Sequence, residues 1–231
     1  MFFADQFQEL QRSQPDHIAI TFEGQDTSYN ELMEHSWQVA NGLLGLGIER
    51  QDRIAHLAKN STEFFEIFIG ASASAFATAG VNWRLAGPEI LQILNSTENS
   101  TLFVGKDFYP IIEAIESDLK FIKNIIAIDG DHDHWLDYKT WRDQQSNQRP
   151  DVSLEGDDDI LQLYTSGTTG LPKGVQLTNQ GYVNAFNAFV DNDILGVDAN
   201  AHFINVMPQF LVGGINLTIV PLLRGARINL M

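Results

Sequence analysis

Short apolar runs alternate with segments of helical spacing along almost the whole chain, and this alternation restricts the fold more than any other feature. His17 to Phe22, Arg53 to Ala58, Thr101 to Val104, Ile125 to Ile128, Ala201 to Val206 and Ala226 to Leu230 each read as strands. Between the first two, Leu32, Trp37, Val39, Leu43 and Leu44 recur at helical spacing after a Ser28-x-x-Glu31 capping box, and Gly45 and Gly47 end that helix. Asn60 with Glu63 opens a second helix running toward Thr78, and Gly87-Pro88 opens a third that runs through Leu94. Ile111 to Leu119, a stretch from about Asn179, and Leu211 to Leu223 supply the remaining helices. Such alternation predicts βαβ units, hence an α/β fold of layered, mostly parallel sheets with helices on both faces.

The connection after Ile160 departs from that rhythm. Its order is strand, loop, strand, helix, and the loop is Tyr164-Thr165-Ser166-Gly167-Thr168-Thr169-Gly170-Leu171-Pro172-Lys173-Gly174. Glycine lets the backbone turn tightly and bring N–H groups to an anion with no Cβ in the way. The hydroxyls of Thr165, Ser166, Thr168 and Thr169 add donors, and Lys173 adds a mobile positive charge suited to phosphate. The run reads as a polyphosphate-binding loop. It is not a Walker A loop, which needs Gly, four residues, then Gly-Lys-Ser/Thr; here Lys173 precedes Gly174 and follows Pro172. No Gly-x-Gly-x-x-Gly follows a strand, so a dinucleotide fold gains no support. For an isolated Ser-Gly-Thr, the alternative of an ordinary turn with a solvated lysine would stand.

Composition sets limits around that loop. With 231 residues, 44% hydrophobic and 19% charged, the chain can bury a core of one large domain or two small ones. A formal net charge of −16 disfavours nucleic acid and anionic membrane surfaces as partners. A bound polyphosphate would need local N–H groups, basic side chains and a divalent cation against that field. There is no cysteine, so disulfides, thiolate metal sites and a thiol nucleophile are excluded. No basic region followed by a long apolar stretch opens the chain, and Phe64 to Val81, interrupted by Glu66, reads as a helix buried between layers and not as a membrane span. A cytoplasmic protein is expected. Asp129 to Asp159 is rich in acids and reads as a surface excursion, in which Asp131-His132-Asp133-His134 is more simply a solvated turn than a metal site.

The run Leu163 to Val175 closely resembles the phosphate-loop motif of the adenylate-forming (AMP-binding) superfamily. Pro15 to Ile20 with Ser28 to Leu32 resembles its opening strand and helix, and Asp52 to Ala55 with Asn60 to Phe64 its next pair. Val81-Asn82-Trp83-Arg84-Leu85 with Glu89-Ile90 is particularly similar to the acyl-CoA synthetase branch. The resemblance implies an enzyme that joins a carboxylic acid to ATP as an acyl-adenylate, releasing pyrophosphate, and then passes the acyl group to a thiol, usually that of coenzyme A. It implies that Thr165, Ser166, Gly167, Thr168, Thr169, Gly170, Lys173 and Gly174 hold the nucleotide's phosphates. Thr165 and Lys173 would act in catalysis, with Thr165 helping to hold Mg²⁺. It further implies the N-terminal portion of the family's large domain, with residues 1–48 beginning one subdomain, 49–200 forming the main α/β subdomain, and 201–231 beginning the next.

Two departures from the family pattern bear on function. Pro208-Gln209-Phe210-Leu211-Val212-Gly213-Gly214 places Leu211 where the family often has histidine at the mouth of the acyl pocket, and Asn179 replaces another common histidine. The resemblance thus makes Phe210, Leu211, Gly213 and Gly214 pocket residues and points to an apolar, fatty-acyl substrate; a plain apolar helix start is the other reading. The family's Thr-Glu segment, ribose-binding aspartate, hinge and C-terminal catalytic lysine have no counterpart through Met231. The expectation is an N-terminal fragment, inactive alone, with incomplete edges open to association or homo-oligomer formation. Its rivals are a ligase that loads a carrier protein and a non-catalytic interaction or regulatory module.

Overall fold

A computed structural model describes residues 1–165, 173–192 and 194–231, Thr165 by its backbone only. The chain runs α1 (Phe3–Ser13), β1 (Ile18–Phe22), β2 (Gln25–Ser28), α2 (Tyr29–Gly45), β3 (Arg53–Leu57), α3 (Glu63–Ala73), β4 (Ala77–Gly80), α4 (Gly87–Ser96) and β5 (Asn99–Val104). It continues through α5 (Tyr109–Ile115), β6 (Asn124–Ala127), β7 (Leu136–Asp137), α6 (Tyr138–Asp143), β8 (Asp159–Thr165), β9 (Lys173–Thr178), α7 (Asn179–Asp191), β10 (His202–Asn205), α8 (Val212–Leu223) and β11 (Arg227–Leu230). Two sheets form, in the orders β10-β11-β1-β2 and β7-β6-β5-β3-β4-β8-β9. Every pairing is parallel except β1 with β2 and β8 with β9. The expected α/β architecture is present.

The larger sheet is covered on both faces because successive residues of a strand point to opposite sides. Ala55, Leu57, Leu102, Val104 and Ala127 pack with Ile90, Ile93 and Leu94 of α4 and Ile112 of α5. Ile54, Phe103 and Ile126 point the other way, against Val39 and Leu43 of α2, Ile67 of α3 and Trp141 of α6. Between the two sheets lies a further apolar core of α1, α2, α3, α7 and α8, with Phe3, Phe7, Phe64 and Phe68 at its centre. Among the described residues no helix is long and apolar enough to cross a membrane.

Several local expectations change. The helix expected to reach Thr78 ends at Ala73, and Ala77–Gly80 is a central strand between β3 and β8. Ser72 and Ser74 donate hydroxyls back to Ile69 O (2.7 Å) and Gly70 O (2.8 Å), and Ala75 turns the chain at φ +60°. Buried on both faces, Ala-Thr-Ala-Gly lacks the alternation that marks a half-buried strand and reads as more helix. The short helix α1 and the polar strand β2 were not anticipated. Nor is Asp129 to Asp159 simply a surface excursion: it contains β7 and α6, with Trp135, Tyr138, Trp141 and Arg142 buried beneath exposed acids. Trp141 lies so close to Gly42 that a Cβ there would sit 2.4 Å from the indole.

Candidate active site at the carboxyl ends of the strands

Strands β3, β4, β5 and β8 run parallel, so the loops that leave their carboxyl ends emerge on one side of the sheet. In open α/β sheets that side is where ligands bind. The loop after β8 is the glycine- and threonine-rich run. Its two stems are antiparallel strands whose last pair is Thr165 with Lys173, and Lys173 is exposed at the start of β9. Ser166, Gly167, Thr168, Thr169 and Gly170 lie outside the described residues. Gly174 pairs with Tyr164 and is pressed against Gln162, whose Nε2 would be 2.8 Å from an added Cβ.

A hydrogen-bonded chain fixes the strand that leads into the loop. Arg53 Nε donates to Gln162 Oε1 (2.8 Å), and Gln162 Nε2 donates to the Tyr164 hydroxyl (3.2 Å). That hydroxyl also meets Thr97 Oγ1 at 2.9 Å, which in turn accepts from Asn99 Nδ2 (2.6 Å). Burial pushes the Tyr164 phenol above its ordinary pKa, so it stays neutral. Its function here is to hold the loop stem from the α4 side of the sheet.

The expected pocket residues lie at the entry to α8. Phe210 is buried, and its Cα is 3.1 Å from where a Cβ on Gly80 would be, so the end of β4 packs directly on it. Trp83 stands edge-on to Phe210, ring centroids 6.0 Å apart, and the Arg84 guanidinium lies 4.8 Å over Trp83 and 5.7 Å from the Phe210 ring. Leu211, at the helix N-cap, and Gly213 are both half-buried. Gly214 must be glycine: a Cβ would fall 2.0 Å from Pro208 O.

The residues that join this loop to the larger sheet were missed from sequence. Gln209, only 2% exposed, accepts from Ser61 N at 3.0 Å and donates to Ser61 O at 2.8 Å. Asn60 accepts from Gln209 N (2.9 Å) and donates to Met207 O and Met231 O. Asn60 therefore stitches the loop after β3 to the loop after β10, while the helix it was expected to open begins at Glu63. The local signal was only an Asn-Ser pair after a strand. Next to this clamp, a cavity of about 380 Å³ is lined by Glu23, Lys59, Ser61, Lys106, Asp107 and Asp129 among others. Burial and then the nearby Asp107 and Glu23 carboxylates raise the Asp129 pKa.

Among the described residues no three carboxylate or imidazole groups converge as a metal site. In the Asp-His-Asp-His run, His132 stacks on Trp135 at 3.5 Å, its Nε2 is 3.1 Å from Glu113 Oε1, and its Nδ1 accepts from His134 N.

A family model described as "AMP-binding enzyme" matches residues 7–231. The fatty acid–[acyl-carrier-protein] ligase ScoC of Streptomyces coeruleorubidus is 30% identical over 205 residues, covering 87% of this chain and 38% of that protein. The indoleacetate–CoA ligase of Aromatoleum aromaticum is 32% identical over 211 residues, 91% of this chain and 41% of that one. Among solved structures, the anthranilate CoA ligase AuaEII in complex with anthranoyl-AMP matches all of this chain and 45% of its own, with a TM-score of 0.92 at 24% identity. The N-terminal domain of FACL13 from Mycobacterium tuberculosis matches 99% of this chain and 56% of its own, with a TM-score of 0.86 at 25% identity. The chain spans about two-fifths of the length of the curated relatives it matches.

Proposed function

The chain belongs to the AMP-binding enzyme family, and from that membership we propose that it supplies the pyrophosphate grip and part of the acyl pocket of an ATP-dependent, AMP-forming acid–thiol ligase. In the first step a carboxylate oxygen attacks the α-phosphorus of ATP; the bond to the bridging oxygen breaks and pyrophosphate leaves, giving an acyl-adenylate. In the second a thiolate attacks the acyl carbon and AMP leaves, giving a thioester.

The observation that carries this reading is the β8–β9 hairpin, whose stems end at Thr165 and Lys173 on the carboxyl side of the parallel sheet, together with the hydroxyl- and glycine-rich sequence that joins them. Charge grows on the departing pyrophosphate, and preorganised N–H, hydroxyl and ammonium donors stabilise it where it develops. In this proposal Thr165, Ser166, Gly167, Thr168, Thr169, Gly170 and Gly174 surround the phosphates and Lys173 neutralises them. Mg²⁺ would enter with the nucleotide. The Thr165 hydroxyl would help to hold it, and the ion would offset the charge of the phosphates.

The edge-on pair of Phe210 and Trp83, with Leu211 next in sequence to Phe210, supports a fatty or similarly apolar acid, and a fatty acid is the substrate named for ScoC. Coenzyme A is the proposed acceptor and the cytoplasm the proposed location. A second reading, transfer to a carrier-protein thiol, is favoured by the similarity to ScoC itself. Because the relatives are more than twice as long, we propose that the 231-residue chain alone forms no thioester.

The test is pyrophosphate release by an enzyme that joins this chain to the remainder its relatives carry, measured over a panel of acids. Lys173→Ala is expected to slow release by about 10²–10³-fold, the scale of a lost transition-state donor. An unchanged rate removes Lys173 from the mechanism. Trapping the acyl group with coenzyme A or with a carrier protein then separates the two acceptors.

A further inference from the structure

Strand β9 carries Lys173 at an edge of the seven-stranded sheet. Leu177 packs against the core at its base, but Lys173, Gly174, Val175 and Gln176 are all exposed. Seven residues, 166–172, separate the paired Thr165 and Lys173, far more than the two-residue turns that set a hairpin's register by themselves. A strand without a buried face specifies its register weakly, and a slip of one residue turns every side chain to the opposite face. Such a slip above Leu177 would carry Lys173 from the face it shares with Thr165 to the α4 side. The upper half of β9 therefore needs a contact that holds it in place.

Gln162 supplies one. It is 2% exposed and lies on the same face of the hairpin as Tyr164, Gly174 and Gln176. A Cβ on Gly174 would meet Gln162 Nε2 at 2.8 Å, Cδ at 3.1 Å and Cγ at 3.4 Å, so the amide lies across the bare backbone of β9. A one-residue slip in either direction brings Lys173 or Val175 to that spot, each with a Cβ that the amide excludes. The amide itself is fixed at both ends. Arg53 Nε only donates, so it draws Oε1 toward itself and leaves Nε2 for the Tyr164 hydroxyl. Thr97 gives its own hydroxyl proton to Ile93 O (2.8 Å), so Tyr164 donates to Thr97 and accepts from Gln162. The donors run in one direction from β3 through β8 to the end of α4, and β9 lies beneath the middle of the chain.

We propose that Gln162 is a positioning residue for the ligase reaction: its amide fits over β9 only at Gly174, and so locks the register that sets Lys173 opposite Thr165 at the carboxyl end of the sheet. The lock on the register stands on the contacts alone. Its part in the reaction rests on the reading under which Lys173 meets the nucleotide's phosphates. Gln162 touches no substrate in this scheme and acts through Lys173. An ammonium group turned to the wrong face would stabilise little of the charge that develops on pyrophosphate.

The test has one arm without nucleotide and one with it. In the chain alone, isotopically labelled at glycine, the parent should give a single Gly174 amide resonance, and Gln162→Ala should split it as a second register becomes populated. In an enzyme that joins this chain to the remainder its relatives carry, Gln162→Ala should slow pyrophosphate release by about 10–100-fold, with the KM of the acid unchanged. Adding Gln162→Ala to Lys173→Ala should cost almost nothing further, because residues that act as a unit are not additive. Tyr164→Phe removes only the hydroxyl that anchors the amide, and should show both effects more weakly; it decides the matter if Gln162→Ala fails to fold. A single, unshifted Gly174 resonance in both variants would overturn the proposal. So would parental release in both while Lys173→Ala is slow, or losses at Gln162 and Lys173 that multiply independently. A parental rate in Lys173→Ala would instead remove the phosphate reading, and the role in the reaction with it, while the Gly174 resonance would still decide the register.

Discussion

The two sheets are made of similar strands yet differ in how far they are finished. In the seven-stranded sheet, neighbouring residues such as Ile54 and Ala55 enter different cores, one on each face. In the four-stranded sheet, Ile228 is buried while its neighbours Arg227 and Asn229 face outward, and Arg227 is tied to Thr21 and Asp26 by surface hydrogen bonds. The difference separates two tasks within one chain. The larger sheet is a closed scaffold that sets where the β8–β9 hairpin emerges. The smaller one holds Phe210 and Leu211 through its β10–α8 connection, joined to the scaffold by the Asn60 and Gln209 clamp. Damage to the scaffold should therefore cost folding, while damage to the outer face of the small sheet should cost little.

The sharpest way to break this comparison is at Glu66. This carboxylate is 3% exposed, between α2, α3 and α6, and accepts from Tyr138 (2.6 Å) and Arg142 (2.9 Å), with His35 Nδ1 at 2.8 Å. Burial alone would raise its pKa, but His35, Arg142 and Tyr138 outweigh that and hold it below the ordinary value. Arg142→Met leaves a buried carboxylate without its fixed positive partner, and the expected loss is about 3–5 kcal/mol in urea unfolding at pH 7. A loss below about 1 kcal/mol, the scale of an exposed pair, would show that this side of the scaffold is no more demanding than the surface.

Much of this scaffold could be read from local pattern, because Ser28 and Glu31, Gly45 and the apolar spacing of α2 act within a few residues of one another. The phosphate-binding reading of Tyr164 to Gly174 rests on residue type alone and stands as a proposal. Pairings between distant segments could not be read this way. β1 pairs with β11 from the far end of the chain, and Gln209 bonds to Ser61 across 148 positions, with no local trace of either contact. β4 was hidden for a different reason: a strand buried on both faces shows no period of two. The interior of the phosphate-loop run, residues 166–172, lies outside the described residues.

A subtler test of the closed scaffold uses His56 in β3, which is 3% exposed and edge-on to Phe64. Burial pushes its imidazole from the ordinary 6.5 down to about 3. Between those values the unfolded chain binds a proton that the folded chain does not, so stability falls as pH drops from 6.5 toward 3. At pH 4.5 this single group should cost about 2.5 kcal/mol relative to pH 7. His56→Leu should remove that part of the acid sensitivity, so the gap between variant and parent shifts in the variant's favour on acidification. Equal pH dependence in the two proteins would mean that His56 takes up its proton in the folded state as readily as in the unfolded one.

The smallest effect is expected on the outer face of the four-stranded sheet. Arg227 donates to Thr21 Oγ1 (2.9 Å) and to Asp26 Oδ1 (2.8 Å), and Thr21 also donates to Asp26 Oδ1 (2.7 Å), so the three residues form a ladder across β11, β1 and β2. The Asp26 side chain is 43% exposed, however, so water screens the pair and already competes for its hydrogen bonds. Arg227→Met keeps most of the aliphatic stem and should cost only about 0.2–1 kcal/mol, less at high salt. Urea unfolding would return that value if this face is solvated, and a loss of about 3 kcal/mol or more, the scale of a broken buried pair, would show that the face is as demanding as the larger sheet.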